Sequence, residues 1–197
     1  MNNGRPELLE PLLDLGFRRA DTVFASGKHA NNKLELDDKR LEQDDWLKEQ
    51  VVEALGKIAL EFEPEFVAGV PEGATRLGVR VAKYVSNYSD YIVQPLLLQK
   101  IENGSLKYFN YRNQQDFNTV LACRRGVIVE DVSNEFTNTR KVLNIPGLRQ
   151  KTVAVLSIFH RGPAEARESL EVPSLSIVEH YIPPQLEQDS LLWVHAR

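Results

Sequence analysis

Val127-Ile128-Val129-Glu130-Asp131-Val132-Ser133-Asn134-Glu135-Phe136-Thr137-Asn138-Thr139 is the stretch on which the fold turns. It begins as an apolar, β-branched run and ends that run in two adjacent carboxylates. A polar turn then leads into a helix expected over residues 139–143. A continuous apolar run of this kind suits a strand buried on both faces of a parallel sheet. In an open α/β sheet, ligands bind just beyond the carboxyl ends of the strands. A helix that starts there aims unpaired N–H groups and the positive end of its dipole at an anion. Two carboxylates at such a strand end can hold ribose hydroxyls or, through water, Mg²⁺.

Working outward, residues 66–70 (Phe-Val-Ala-Gly-Val) form a second short apolar run, followed by a turn over 71–74 and a helix over 75–85. Residues 152–159 are the longest strand candidate, a short helix follows near 164–170, and a last strand is expected over 175–179. Residues 91–98 read as a strand that Pro95 places at an edge or a bend. Residues 107–111 read as one side of a hairpin turning at Asn103-Gly104. Ahead of these, Trp46, Leu47, Val51, Val52, Leu55, Ile58, Ala59 and Phe62 recur at helical spacing. Asp44 or Asp45 is the N-cap of that helix and Pro64 its end. The charged run 37–45 is its solvated approach. The N-terminus reads as a helix over 6–15, a strand over 22–25, a turn at Ser26-Gly27-Lys28 and a half-buried strand over 33–37. Strands alternating with helices predict an α/β fold with a mostly parallel central sheet flanked by helices. The expected organisation is a single domain over 1–197. Residues of about 1–40 form a small N-terminal hood, about 41–165 the core and about 166–197 a C-terminal extension.

The 197 residues are 42% hydrophobic and 26% charged, ordinary for a globular chain that folds without disulfides or metal. The net charge of -4 argues against general nucleic-acid binding. Cys123 is the single cysteine, so there is neither an intrachain disulfide nor a cysteine zinc site. No apolar run approaches the ~18 residues of a membrane span, and the first residues lack an apolar secretory core. A cytoplasmic protein with no membrane partner is the expectation. His29, His160, His180 and His195 have no metal-ligand spacing.

Through Asp131 the opening stretch resembles the phosphoribosyl-pyrophosphate (PRPP) signature of type I phosphoribosyltransferases: an apolar strand, Glu-Asp, two residues, then Thr-Thr-Gly-Gly-Ser. Past Asp131 it departs, at Asn134, Glu135 and Phe136. The loop has no glycine; the Gly-Gly pair falls on Phe136 and Thr137, and Glu135 stands at the preceding Thr. A carboxylate aimed into a phosphate pocket is repelled by roughly 1 kcal/mol in water and several times that when desolvated. Either the loop carries one extra residue and Glu135 points away, or it does not bind a 5′-phosphate in the usual way.

Three further segments follow the same family order. Gly69 through Gly78 is similar to the pyrophosphate-contacting loop, with Gly69 and Gly73 permitting close approach and Arg76 able to reach a diphosphate. Phe24-Ala25-Ser26-Gly27-Lys28 resembles the opening of the orotate branch, although Ala25 stands where that branch has lysine. Lys100 matches the lysine ahead of the branch's mobile basic loop, with Gln99 where arginine is expected. Arg161, after the long strand, matches an Asp-Arg pair whose acid is His160 here.

What the resemblance implies is transfer of ribose 5-phosphate from PRPP to a nitrogenous base, orotate or a related one, with Mg²⁺ on the diphosphate. Glu130 and Asp131 would hold ribose hydroxyls and Lys100 would belong to the closing lid. Ser133, Thr137, Asn138 and Thr139 would face the 5′-phosphate; Gly69, Gly73 and Arg76 the diphosphate; Ser26, Gly27, Lys28 and Arg161 the base. Mg²⁺ would be carried by PRPP and water, without a direct protein ligand. The expected partners are PRPP and a nucleobase, with no nucleic acid and no membrane. A homodimer is among the expected states, with Leu191, Leu192 and Trp193 as a docking tail. Because the departures fall on the site, a catalytically inactive protein that binds PRPP or a nucleotide as a regulator stays open beside the transferase. An unrelated α/β nucleotide-binding protein is the third reading.

Overall fold

The computed structural model describes residues 4–103 and 106–187. Its elements are α1 (Leu9–Gly16, led by a 3₁₀ turn), β1 (Phe17–Val23), β2 (His29–Leu34), α2 (Asp38–Leu41), α3 (Asp45–Leu60), β3 (Phe66–Gly69), α4 (Thr75–Tyr88) and β4 (Gln94–Leu96). They continue with β5 (Leu98–Asn103), β6 (Leu106–Tyr111), α5 (Gln114–Ala122), β7 (Gly126–Ser133), α6 (Thr137–Leu143), α7 (Leu148–Lys151), β8 (Thr152–His160), α8 (Glu165–Glu168) and β9 (Ser174–Glu179). Five strands form one parallel sheet in the order β4-β3-β7-β8-β9. This is the α/β architecture expected from the alternation of strands and helices. Two antiparallel hairpins, β1-β2 and β5-β6, stand apart from it.

The alternation of side chains along buried strands builds two cores. Val67, Val127, Val129, Ala154, Leu156 and Ile158 face one side, against α1, α3 and α4. Phe66, Ala68, Ile128 and Val155 face the other, with Val120 of α5 and Val142, Leu143 and Leu148 of α6 and α7. The β-branched residues stiffen the strands and fill both faces. Asp44 caps α3, its carboxylate accepting from the Leu47 N–H at 2.9 Å.

Several boundaries differ from the sequence expectation. The first hairpin lies earlier, over 17–23 and 29–34, because the Phe24 and Lys28 backbones close its turn. Trp46 is 57% exposed rather than part of the apolar face of α3. Residues 91–98 divide between edge strand β4, which carries Pro95, and the start of β5. Helix α5 was missed; its signal is Asn113, whose side chain accepts from the Asp116 N–H at 3.0 Å. Helix α6 starts at Thr137, two residues early. Residue 104 of the expected Asn103-Gly104 turn, Leu191, Leu192, Trp193 and His195 lie outside the described residues. No helix among the described residues is long and apolar enough to cross a membrane.

Candidate functional site

The sheet winds one way from β3 to β4 and the other way from β7 through β8 to β9, so the chain reverses between β3 and β7. Ligand crevices of doubly wound sheets open at such a reversal. β3 ends at Gly69, paired with Val129, while β7 continues to Ser133. Glu130 to Ser133 therefore project beyond their neighbour on that side. A cleft of about 370 Å³ opens there. Its floor is Val70 to Gly73 and Glu130 to Val132, one wall is Asn134 to Asn138, and its roof is the first hairpin, Thr22 to Ser26 and Lys33 to Glu35.

Glycines set how closely the turn after β3 folds back. A Cβ on Gly69 would lie 1.9 Å from the Ala74 carbonyl oxygen, and one on Gly78 would lie 2.6 Å from the Gly69 nitrogen. A Cβ on Gly73 would lie 2.5 Å from an Asp131 carboxylate oxygen. That missing side chain is the space the Asp131 carboxylate occupies at the cleft floor.

The two adjacent acids behave differently. Glu130 is buried and accepts from the Thr139 hydroxyl at 2.6 Å. Burial pushes its carboxyl up to about 8, against the opposing effect of Thr139 and with a further push from Asp131. Asp131 is partly exposed to the cleft, yet the protein around it raises its carboxyl to about 6. The N–H groups of Val132 and Asp131 itself oppose that rise, and the charges of Asp37 and Asp38 add to it. At neutral pH the pair therefore presents a mostly protonated Glu130 and a mostly ionised Asp131.

The loop after β7 resolves its lack of glycine through an aromatic residue. Phe136 precedes α6 in the left-handed conformation (φ 53°, ψ 27°), with its side chain buried. A bulky residue there is strained by about 1–3 kcal/mol. Its ring stacks on His160, centroids 5.2 Å apart and planes 18° apart. Burial pulls the His160 imidazole below its ordinary range. Glu135 lines the cleft and pairs with Lys28 of the hood, which holds its carboxyl below the usual range. Glu135 thus spans from the loop to the turn of the first hairpin.

Of the residues expected at the site, the cleft lining brings together Glu130, Asp131, Gly73, Thr137, Asn138, Ser26 and Arg161. Ser133 is a correction. It is fully buried, and its hydroxyl lies 2.9 Å from His160 Nδ1 and 3.1 Å from the Ser157 hydroxyl, not toward the cleft. Thr139 is a second correction, since its buried hydroxyl donates to Glu130. Arg76, Gly27 and Lys28 are exposed and absent from the lining, and the buried Gly69 is absent from it too. Lys100 also stands outside the lining, paired with Glu72 at 2.8 Å and Glu102 at 3.0 Å, which together raise its ammonium. Arg161 lines the cleft but is only 2% exposed, and donates to the Asn32 side-chain oxygen and the Ile182 carbonyl.

Two contributions were missed. The approach to α3, read as solvated, holds α2, and Asp38 there caps α4: its carboxylate accepts from the Arg76 N–H at 2.7 Å and the Leu77 N–H at 2.9 Å. Burial nevertheless raises the Asp38 carboxyl. Asn32 is fully buried and bonds Arg161 on one side and the Pro183 and Pro184 carbonyls on the other. The Asp37-Asp38 pair ahead of a leucine was a visible capping signal. The links of Asn32, some 130 to 150 positions away, left no local trace.

No family model matches the sequence, and neither does any curated protein. Solved structures do. The chain is similar to an orotate phosphoribosyltransferase from Aeropyrum pernix, at 19% identity over 91% of this chain and 93% of that one, with a TM-score of 0.58. A phosphoribosyltransferase from Corynebacterium diphtheriae superposes at 17% identity over 88% and 94%, TM-score 0.60. An adenine phosphoribosyltransferase from Leishmania tarentolae does so at 13% identity over 87% of each chain, TM-score 0.52. The chain therefore has the type I phosphoribosyltransferase fold, with its cleft at the reversal of that sheet.

Proposed function

We propose that this cleft binds PRPP with Mg²⁺ and that the protein transfers the ribose 5-phosphate group to a nitrogenous base. One observation carries the reading: Asp131 sits near the end of the central strand, where β7 has run past β3, seated against Gly73 and facing a cleft roofed by the first hairpin. A floor for the sugar and a separate roof for a second reactant are what a two-substrate transfer needs. Asp131 would accept from a ribose hydroxyl. Glu130, mostly protonated and fixed by Thr139, would back it. The N–H groups of Thr137 and Asn138 would face the 5′-phosphate. The main chain from Val70 to Gly73 would face the diphosphate.

Among the described residues no group of three His, Cys, Asp or Glu side chains could hold a metal directly. A divalent cation arriving on the diphosphate would instead be met through water by Asp131 and Asp37, both of which line the cleft. Bound there, Mg²⁺ supplies charge neutralisation to the departing diphosphate. The chain's own task is to orient the sugar and to keep water from the developing positive charge at ribose C1. Lys100 would have to leave Glu72 to serve in that closure.

A regulator that binds PRPP or a nucleotide without turnover is the second reading, favoured by the Glu135–Lys28 pair that ties the loop after β7 to the hood. Calorimetric titration of Mg²⁺-PRPP into the wild type and Asp131→Asn tests the site. Binding in the micromolar range that is lost in the variant is expected, and no heat with either protein sinks both readings. Affinity for the wild type is expected to strengthen as pH rises through about 6, where Asp131 ionises. Diphosphate release with a base present separates transfer from binding alone.

A further inference from the structure

Resting on the reading of the cleft as a PRPP site, we propose that His160 is a positioning residue for the 5′-phosphate: acting through the Phe136 ring, it sets the wall of Thr137 and Asn138 without touching the ligand. Those residues line the cleft directly after Phe136, and His160 stays outside that lining. The loop has no glycine with which to turn closely, so Phe136 itself takes the left-handed backbone, at φ 53°. A bulky residue keeps that conformation only where its surroundings over-determine it. Here the first hold is the His160 ring, stacked on Phe136 with centroids 5.2 Å apart. Gly162 permits the second. A Cβ there would lie 1.8 Å from the Asn134 carbonyl oxygen, and the neighbouring Arg161 N–H donates to the Ser133 carbonyl at 2.9 Å. The glycine that allows close packing thus stands in the turn after β8, not in the loop after β7.

The imidazole is held at both nitrogens. Nε2 lies 3.3 Å from the Pro163 carbonyl oxygen, which only accepts, so Nε2 carries the proton. In a neutral ring Nδ1 then accepts, and the Ser133 hydroxyl at 2.9 Å donates to it. Behind Ser133 come the buried hydroxyls of Ser157, 3.1 Å away, and of Ser176, 2.7 Å further on. The line ends at Arg167, whose Nη2 donates to Ser176 at 3.2 Å and whose Nη1 pairs with Glu179 at 2.8 Å. Arginine has donors only, so one direction satisfies the whole line, from Arg167 through Ser176, Ser157 and Ser133 to His160. Burial and the Arg167 charge favour the same neutral ring. A fully satisfied buried network rigidifies its members. The His160 ring, fixed at its edge by these bonds, keeps its face on Phe136.

Binding of ribose 5-phosphate and of Mg²⁺-diphosphate is to be measured by calorimetry on the full chain, in the wild type, His160→Ala and His160→Phe. His160→Ala is expected to weaken ribose 5-phosphate about tenfold or more while leaving Mg²⁺-diphosphate within about twofold. His160→Phe keeps the stacked face and drops both hydrogen bonds, so its ribose 5-phosphate affinity is expected between those of the other two. Gly162→Ala presses on Asn134 with His160 intact, and the same selective loss is expected from it, including where His160→Ala does not fold. A residue that only supports the fold weakens both ligands alike, and that result overturns the proposal. So does an unchanged ribose 5-phosphate affinity, or a His160→Phe no better than His160→Ala. A wild type that binds neither ligand sinks the PRPP reading and the positioning role with it. A wild type that binds both, matched by its variants, sinks the positioning role alone.

Discussion

The turn after β3 and the turn after β7 stand side by side, each leading from a buried parallel strand into a helix, yet they are built on opposite principles. The first relies on glycine at Gly69, Gly73 and, one turn into α4, Gly78, where a Cβ would meet backbone or the Asp131 carboxylate, and its own left-handed residue is the exposed Glu72 (φ 73°). Its helix start is satisfied from outside by Asp38. The second has no glycine, places Phe136 in the left-handed region and anchors it under the loop against His160. Close approach is a matter of missing atoms in one turn and of a buried aromatic anchor in the other. The first turn can thus approach a ligand by its main chain alone. The second presents Thr137 and Asn138 beside Glu135 on the cleft wall while Phe136 is pulled inward.

The sharpest way to break this contrast is at its anchor. Phe136→Ala removes a buried ring while keeping the strained backbone, and is expected to cost about 3–5 kcal/mol by chemical denaturation. A loss under about 1 kcal/mol would mean that the ring does not hold the turn. Next, Gly69→Ala sets a Cβ against main chain and is expected to cost about 1–3 kcal/mol. Gly73→Ala sets its Cβ nearest the Asp131 side chain rather than main chain, so it should leave the melting temperature nearly unchanged while weakening Mg²⁺-PRPP binding about tenfold or more. Equal stability losses in the two glycine variants would erase the distinction drawn within the first turn.

Glu130 offers a pH test of the floor that both turns enclose. Its carboxyl is raised from the ordinary 4.5 to about 8, so the folded protein holds a proton that the unfolded chain releases between those values. Stability from this group therefore falls as pH rises from about 4.5 to 8. Glu130→Gln should flatten that dependence and raise the thermal midpoint above pH 8, by the equivalent of up to a few kcal/mol. A variant less stable than wild type at pH 9 would show the carboxylate to be satisfied when ionised. The smallest effect is expected at the tie between loop and hood. Lys28 is 58% exposed on its side chain, so Lys28→Ala should change stability by less than about 1 kcal/mol. Its readout is the position of the hood, followed by hydrogen exchange of the first hairpin.

Much of the scaffold was legible because its signals are local. The apolar runs at 66–70, 127–129 and 152–159 fill strands buried on both faces, and Asp44 announces α3 three residues before the N–H it caps. The site was legible in part. Glu130 and Asp131 could be placed near a strand end, since two carboxylates close the apolar run, although β7 and its burial continue to Ser133. Ser133 and Thr139 were misassigned because a hydroxyl suits a phosphate and a buried polar network equally well. The choice between them was made by Ser157 and His160 on β8 and by Glu130 across the loop.

By itself, then, the sequence determined the central strands, the long helices α3 and α4 and the acidic stretch of the central strand, because periodicity and capping act over a few residues. Only the tertiary structure decided which polar groups face the cleft. Beyond Gly69 the strand β7 has lost a neighbour, so alternation no longer assigns a face. The partners of Asp38, Lys28, Asn32 and Arg161 lie 38, 107, 151 and 129 positions away. Electrostatic pairing at such separations depends on where the chain returns in space, which no local pattern encodes.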